Sequence, residues 1–224
     1  AFSSSLSESN EPIWGTCPVT DATFQTAINA CLTTNPADGM CSNNYYGAMP
    51  DWSVSQVTDM SNAFKDKTDF NGDISGWNVS SATTMVSMFE GATSFNQSIG
   101  DWDVSNVTTM VSMFEGATSF NQSIGDWDVS NVTTMVSMFE GATSFNLDIG
   151  DWIVSSVTTM VSMFEGATSF NQDISDWCVT NIASEPIDFS LNSGLSESNE
   201  PIWGTCPITN TNFQTAINTC LSTN

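Results

Sequence analysis

The chain has 224 residues, with 25 acidic side chains against two lysines, no arginine and no histidine, for a formal charge of −23. Such a surface repels nucleic acid and anionic lipid, because both need cationic groups to displace counterions or meet head groups. No apolar run approaches the roughly 20 residues needed to cross a bilayer, which speaks against membrane insertion. Without histidine the six cysteines lack the spacings of a zinc site.

In chain order, the first element is a helix. Thr20 and Asp21 can cap it, and Phe24, Ala27, Ile28, Cys31 and Leu32 follow the i, i+3, i+4, i+7, i+8 pattern of a one-sided helix. It ends before Asn35-Pro36, since proline disfavours helix in its predecessor. Residues 1–42 thus read as a junction segment with a capping helix that leads through a short loop to Met49, Pro50 and Asp51.

A 25-residue period follows. Trp52, Trp77, Trp102, Trp127, Trp152 and Trp177 are evenly spaced, and residues 83–107 are repeated letter for letter at 108–132. One unit carries Phe120, Ile124, Trp127, Val129, Val132, Met135, Met138 and Phe139. Twenty-five residues cannot bury eight large apolar side chains alone, so each unit must lean on its neighbours, as in repeat proteins. Trp127 and Val129 alternate with polar residues and Val132 to Thr134 are β-branched, which reads as short strands. Met135, Met138 and Phe139 then take helical spacing, and Gly141 is placed to end a single turn in a left-handed conformation. The expected architecture is a repeat solenoid over 43–182, with about five to six units coiling short parallel strands and single helical turns. Residues 183–224 form a C-terminal cap and the start of a next module.

That last assignment rests on a second, longer period. Residues 6–34 and 195–223 differ at six of 29 positions, at an offset of 189 (206 − 17, and again 220 − 31). The chain reads as one period of a tandem array with an overlap.

Disulfides in an oxidising, extracellular or cell-surface setting are expected for the cysteines. Cys41 precedes the first unit and Cys178 sits in the last, so about five steps of roughly 4.8 Å put them beyond disulfide reach. The favoured scheme joins Cys31 to Cys41 and Cys178 to Cys206. Cys17 and Cys220 are then left for inter-module disulfides, with the repeat offset supplying their partners. The alternative joins Cys17 to Cys31 and Cys206 to Cys220, leaving Cys41 and Cys178 free.

The pattern F-N-x-[DS]-I-x-x-W-x-V-S-x-V-T-x-M-x-x-M-F, the leading PDWSVSQVTDM at 50–60 and the trailing WGTCP resemble the BspA-type surface-protein repeat family. The resemblance covers 49–182. It implies a right-handed, leucine-rich-repeat-like solenoid in a cell-surface or matrix setting, and no catalytic residues. The first unit departs from the pattern at Ala63, where the next has a methionine, and the last at Cys178 and Ile182, changes suited to end rungs.

Several polar rows are candidate sites. Asp101, Asp126, Asp151 and Asp176 recur at one position, with Asp73, Asp148 and Asp173 nearby. Stacked carboxylates about 5 Å apart repel by roughly 0.8 kcal/mol in water, so weak, screening-type cation association is expected. Calcium would be at most weakly bound, without a dedicated metal site or any cofactor. Asn71, Asn96, Asn121, Asn146 and Asn171 are expected to form a buried ladder. Among the sequons, that leaves Asn78, Asn106 and Asn131 as the better glycosylation acceptors. The tryptophans are expected in the core, with sugar stacking as the rival. The paired threonine rows (83/84, 108/109, 133/134, 158/159) are outward strand residues, with ice binding as a minor alternative. Glu90, Glu115, Glu140 and Glu165 share equivalent surroundings, so none is singled out as a catalytic acid, and no histidine can serve as base.

The expectation for function is non-enzymatic: a secreted structural module meeting copies of itself head to tail in a fibre, stalk or matrix strand. The alternative is a cell-surface adhesin that binds extracellular glycans.

Overall fold

The computed structural model describes residues 19–41 and 46–207. Helix α1 spans Asp21–Leu32 and buries Phe24, Ala27, Ile28, Cys31 and Leu32, the face its spacing predicts. The Thr20 N–H donates to Thr23 Oγ1 at 3.1 Å, filling one orphan position of the first turn. The Asp21 carboxylate reaches across to the first unit, accepting from Thr58 N (2.7 Å), Thr58 Oγ1 (2.7 Å) and Asp59 N (3.1 Å). The segment before α1 is fixed to the same unit by Val19 N–H to Ser53 O at 3.0 Å and a parallel bridge from Thr20 to Gln56.

Those bonds favour the ionised form of Asp21. The Thr58 hydroxyl and then the Asp59 amide hold its pKa below the usual value, against a smaller opposing effect of burial. A depressed folded pKa means that the contribution is complete above the unfolded value near 4 and is lost as pH falls through the lower folded value. Asp21→Ala should therefore loosen α1 by about 1 kcal/mol at neutral pH and by less as the pH falls through the lowered folded value. Amide hydrogen exchange of α1 at neutral and acid pH checks this.

Beyond α1 the chain makes 25-residue units, each lying against the next in fixed register. Regular secondary structure is sparse. The expected parallel strands are reduced to single-residue bridges in one column, Asp59 to Thr84 to Thr109 to Thr134 to Thr159. The expected helical turns do not form. In 85–92 alternate amides donate to the following unit: Met85 to Thr109 O, Ser87 to Val111 O, Phe89 to Met113 O and Gly91 to Glu115 O, at 2.7–3.2 Å. The amides between them close three-residue turns, Met88 to Met85 O, Glu90 to Ser87 O and Ala92 to Phe89 O. A helix would need all these donors internally. The chain instead turns through Ser87 (φ 55) and Gly91 (φ 68), both left-handed, and the three-residue turns bring Met85, Met88 and Ala92 inward. The Met-x-x-Met spacing that suggests a helix is the signature of these turns. Gly141, read as the end of such a turn, has φ 65, the conformation that glycine adopts without steric cost.

The interior is aromatic. Phe64, Phe89, Phe114, Phe139 and Phe164 stack in one column at 5.3–5.7 Å, and Phe70, Phe95, Phe120, Phe145 and Phe170 in a second at 5.7–6.0 Å. Each ring of the first column lies 4.0–4.2 Å from the ring six residues on in the second. Each ring thus has its partners above and below in other units, so the core has no boundary between units.

The repeated text stops near Ile182, but the inter-unit bonding does not. Ser162 N–H donates to Ile187 O, Phe164 to Phe189 O and Gly166 to Leu191 O, 25 residues ahead where the matching bonds of the repeated units reach 24. The left-handed pair recurs at Asp188 and Asn192, 26 residues after Ser162 and Gly166, so one extra residue is taken up here, and the asparagine row regains its 25-residue step at Ser196. Phe189 closes the first phenylalanine column edge-on at 5.5 Å and Trp203 meets Phe189 edge-on at 4.8 Å. Residues 183–207 are thus a closing segment that continues the inter-unit bonding without the repeated text and with one extra residue.

Candidate functional site

The two disulfides sit at opposite ends of the stack. Cys31 of α1 is bonded to Cys41, ten residues on, and Cys178 of the last repeated unit to Cys206 of the closing segment, 28 residues on. This pairing uses Cys31 and Cys206, so the alternative scheme is overturned. Cys17 and Cys220 lie outside the described residues. Two disulfides point to an oxidising environment.

The tryptophan row is interior. The six rings are 1–5 % exposed, and each indole N–H donates to a main-chain carbonyl: Trp102 to Ile74 O (3.3 Å), Trp127 to Ile99 O (3.1 Å), Trp152 to Ile124 O (3.0 Å), with Trp52, Trp77 and Trp177 alike. Their faces are covered and their donors spent, so this row offers sugars no stacking platform. Among the described side chains, no buried polar atom lacks a partner.

The asparagine ladder exists but lies at the surface. Asn71 Oδ1 accepts Asn96 N–H, Asn96 accepts Asn121, Asn121 accepts Asn146, Asn146 accepts Asn171 and Asn171 accepts Ser196, at 2.9–3.0 Å. Four of the five asparagines are exposed and Asn146 is half-buried, which corrects the expectation of a buried row. The side chains tie an outer edge of the stack together, each accepting the amide of its counterpart 25 residues on.

The glycosylation candidates separate into two positions. Asn106 and Asn131 turn Nδ2 onto the preceding unit, donating to Ser80 O (2.8 Å) and Ser105 O (2.7 Å). Asn78 stands next to its tryptophan, where later units have Asp103 and Asp128. Its Oδ1 accepts Ser80 N–H (3.1 Å) and Oγ–H (2.7 Å), leaving Nδ2 directed away from the turn. On expression through a glycosylating secretory pathway, glycopeptide mass spectrometry should find Asn78 more fully occupied than Asn106 or Asn131.

Asp101, Asp126, Asp151 and Asp176 are all exposed. Near the C-terminal end Asp148, Asp151, Asp173 and Asp176 line an open hollow of about 240 Å³ with Gly150 and Gln172. Among the described residues, no group of three or more acidic or cysteine side chains is arranged to hold a metal ion. Several neighbouring carboxylates are committed to their own turns. Asp73, Asp103 and Asp173 accept both the hydroxyl (2.6–2.7 Å) and the amide (3.0–3.1 Å) of the serine two residues on. The serine hydroxyl is the chief reason that their pKa values lie below the ordinary range.

The glutamate row is less uniform than its text. Lys65 stands in the same register and pairs with Glu90 at 2.8 Å. Burial disfavours the Glu90 carboxylate, but the Lys65 ammonium and the Ser87 hydroxyl outweigh it and lower its pKa. Glu115, half-buried between Glu90 and Glu140, is raised, first by burial and then by those neighbours, despite a Ser112 hydroxyl bond. Sequence alone could have found the Lys65 pairing, since Lys65 and Glu90 are one repeat period apart.

The first threonine of each pair ties its unit to the one before. Thr108, Thr133 and Thr158 donate Oγ1–H to the main-chain oxygen of the equivalent threonine in the preceding unit, each at 3.1 Å, so their hydroxyl protons are not free to order outside water.

Taken together, these features are those of a repeat protein with a continuous aromatic core, polar side chains spent on holding units together, and a disulfide at each end. Two overlapping segments, 38–131 and 97–201, match the family described as Mycoplasma protein of unknown function, DUF285, and the chain belongs to it. No curated protein and no solved structure matches the chain.

Proposed function

We propose that the chain is an extracellular structural module that continues end to end with copies of itself in a fibre, stalk or matrix strand. On this reading the stacked units are a solenoid, a right-handed leucine-rich-repeat-like coil, in a secreted or cell-surface protein of the BspA type. The observation that carries it is the unbroken register from Asn71 to Ser196, joined to the reappearance of the opening text at the far end of the chain. The polar rows support a scaffold role. Their donors and acceptors are turned on neighbouring units, and among the described residues unlike groups do not converge as a catalytic centre requires. The exposed aspartates would gather weakly held cations, calcium among them, that screen the charge of −23.

Negative-stain images of native material test this reading. Rods with an axial period support it. Dispersed short particles would overturn it and favour an adhesin or glycan-binding role.

A further inference from the structure

The closing segment explains what the overlapping text does. Its residues hold the end of the stack through specific contacts: Ser196 N–H to Asn171 Oδ1 (3.0 Å), Asn199 Nδ2 to Asn171 O (3.1 Å), Ile174 N–H to Asn199 O (2.9 Å), Val179 N–H to Thr205 O (2.9 Å), and the bond from Cys206 to Cys178. Residues 195–207 are identical, all 13 of them, to residues 6–18. Every residue of the closing segment that makes these contacts therefore has its copy ahead of α1, in Ser7, Asn10, Thr16 and Cys17. Val19 is the first residue bonded to the first unit. The span from Val19 to Pro207 inclusive (207 − 19 + 1) equals the long period (206 − 17).

We propose that the repeating module is residues 19–207 and that the partner at each of its ends is another copy of this module, joined without a linker. This rests on the array reading and gives it its joint. In that array the closing position of 195–207 is followed directly by a segment with the text of Val19 and α1. Each module holds its own Cys31–Cys41 and Cys178–Cys206 bonds. Both bonds fall inside a module and do not bridge two. Each bond forms when two thiols give two protons and two electrons to a disulfide oxidant such as glutathione disulfide, which leaves as two thiols.

The joint is short. In such an array Cys206 is locked to one stack and the counterpart of Val19, two residues on, is locked to the next, and two residues span at most about 7 Å. Stacks that close must meet face to face. The closing segment has the surface for this: of the five exposed large apolar side chains among the described residues, Ile187 (73 %), Ile202 (68 %) and Leu191 (48 %) belong to it. Isolated, these residues would waste apolar area; against the cap of a following module they are covered. Consecutive modules thus form a stiff rod, not beads on a string.

The test is the chain extended at Pro207 by a second copy of residues 19–224, studied by small-angle X-ray scattering. The expected result is one narrow particle of fixed length. A flexible Gly/Ser linker inserted after Pro207 should lengthen and loosen it. So should Ile187→Ser with Ile202→Ser in the first module, which leaves the core intact because both side chains are exposed. If the uninserted tandem swivels as freely as the inserted one, the stiff joint is overturned. Disulfide mapping of the same protein, oxidised with glutathione disulfide, should find each Cys178 joined to the Cys206 of its own module, and a bond across the joint would overturn the assignment. A swivelling tandem leaves the array reading standing, whereas dispersed particles of native material refute the array without touching a rigid tandem.

Discussion

Phe114→Ala should destabilise the chain by about 3–5 kcal/mol, the largest effect expected of any single truncation in the stack. Phe114 is fully buried. It lies 4.0 Å from Phe120, six residues on, 5.5 Å from Phe89 before it in its column and 5.6 Å from Phe139 after it. Those rings are held in register by inter-unit main-chain bonds, such as Phe89 N–H to Met113 O and Phe114 N–H to Met138 O, so they cannot collapse into the space left. The cavity therefore persists, which puts the cost at the upper end of the range. Because stability in such an array is a sum of units and their interfaces, the loss falls on the contacts at both faces of one unit. Urea unfolding followed by tryptophan fluorescence should show the lowered midpoint. Limited proteolysis should cut within 108–132 before it cuts elsewhere.

Removing the closing disulfide by Cys178→Ala with Cys206→Ala should cost about 3–4 kcal/mol, from the loop entropy of a bond that spans 28 residues. The effect should be local. The closing segment covers Phe164 and Ile174 but has none of the repeated apolar text, and Trp203 remains half-exposed. Without the covalent tie, its amides should exchange hydrogen far faster while those of 85–140 stay protected. The matching change at Cys31 and Cys41 closes only ten residues and should cost less. Hydrogen exchange read by mass spectrometry separates the two ends.

Much of this arrangement is legible in the text, because apolar periodicity reports which side chains must be hidden. The buried face of α1, the interior tryptophans and the interdependence of the units all follow from it. Local backbone geometry does not. Met85, Met88 and Phe89 have a spacing that serves a helical turn or a run of three-residue turns equally well. The choice is made by hydrogen bonds to the neighbouring unit, which no local window contains. The closing segment is hidden for the same reason. Ile187, Phe189 and Leu191 carry no repeated text, yet their carbonyls receive Ser162, Phe164 and Gly166 as a following unit would, one residue later than in the repeats. Exposure of the asparagine row is also beyond the text, since hydrogen-bonding capacity says nothing about which side of a turn faces water.

The most direct test of the stacked core is to delete residues 108–132. Their text duplicates 83–107, so the cut joins Val107 to Thr133 and leaves every remaining residue with neighbours of the same kind. A stack of interchangeable units should fold with both disulfides formed, unfold cooperatively at a somewhat lower urea concentration, and measure about 5 Å shorter by X-ray scattering. A chain that loses cooperative unfolding or fails to form the Cys178–Cys206 bond on this deletion would contradict the account.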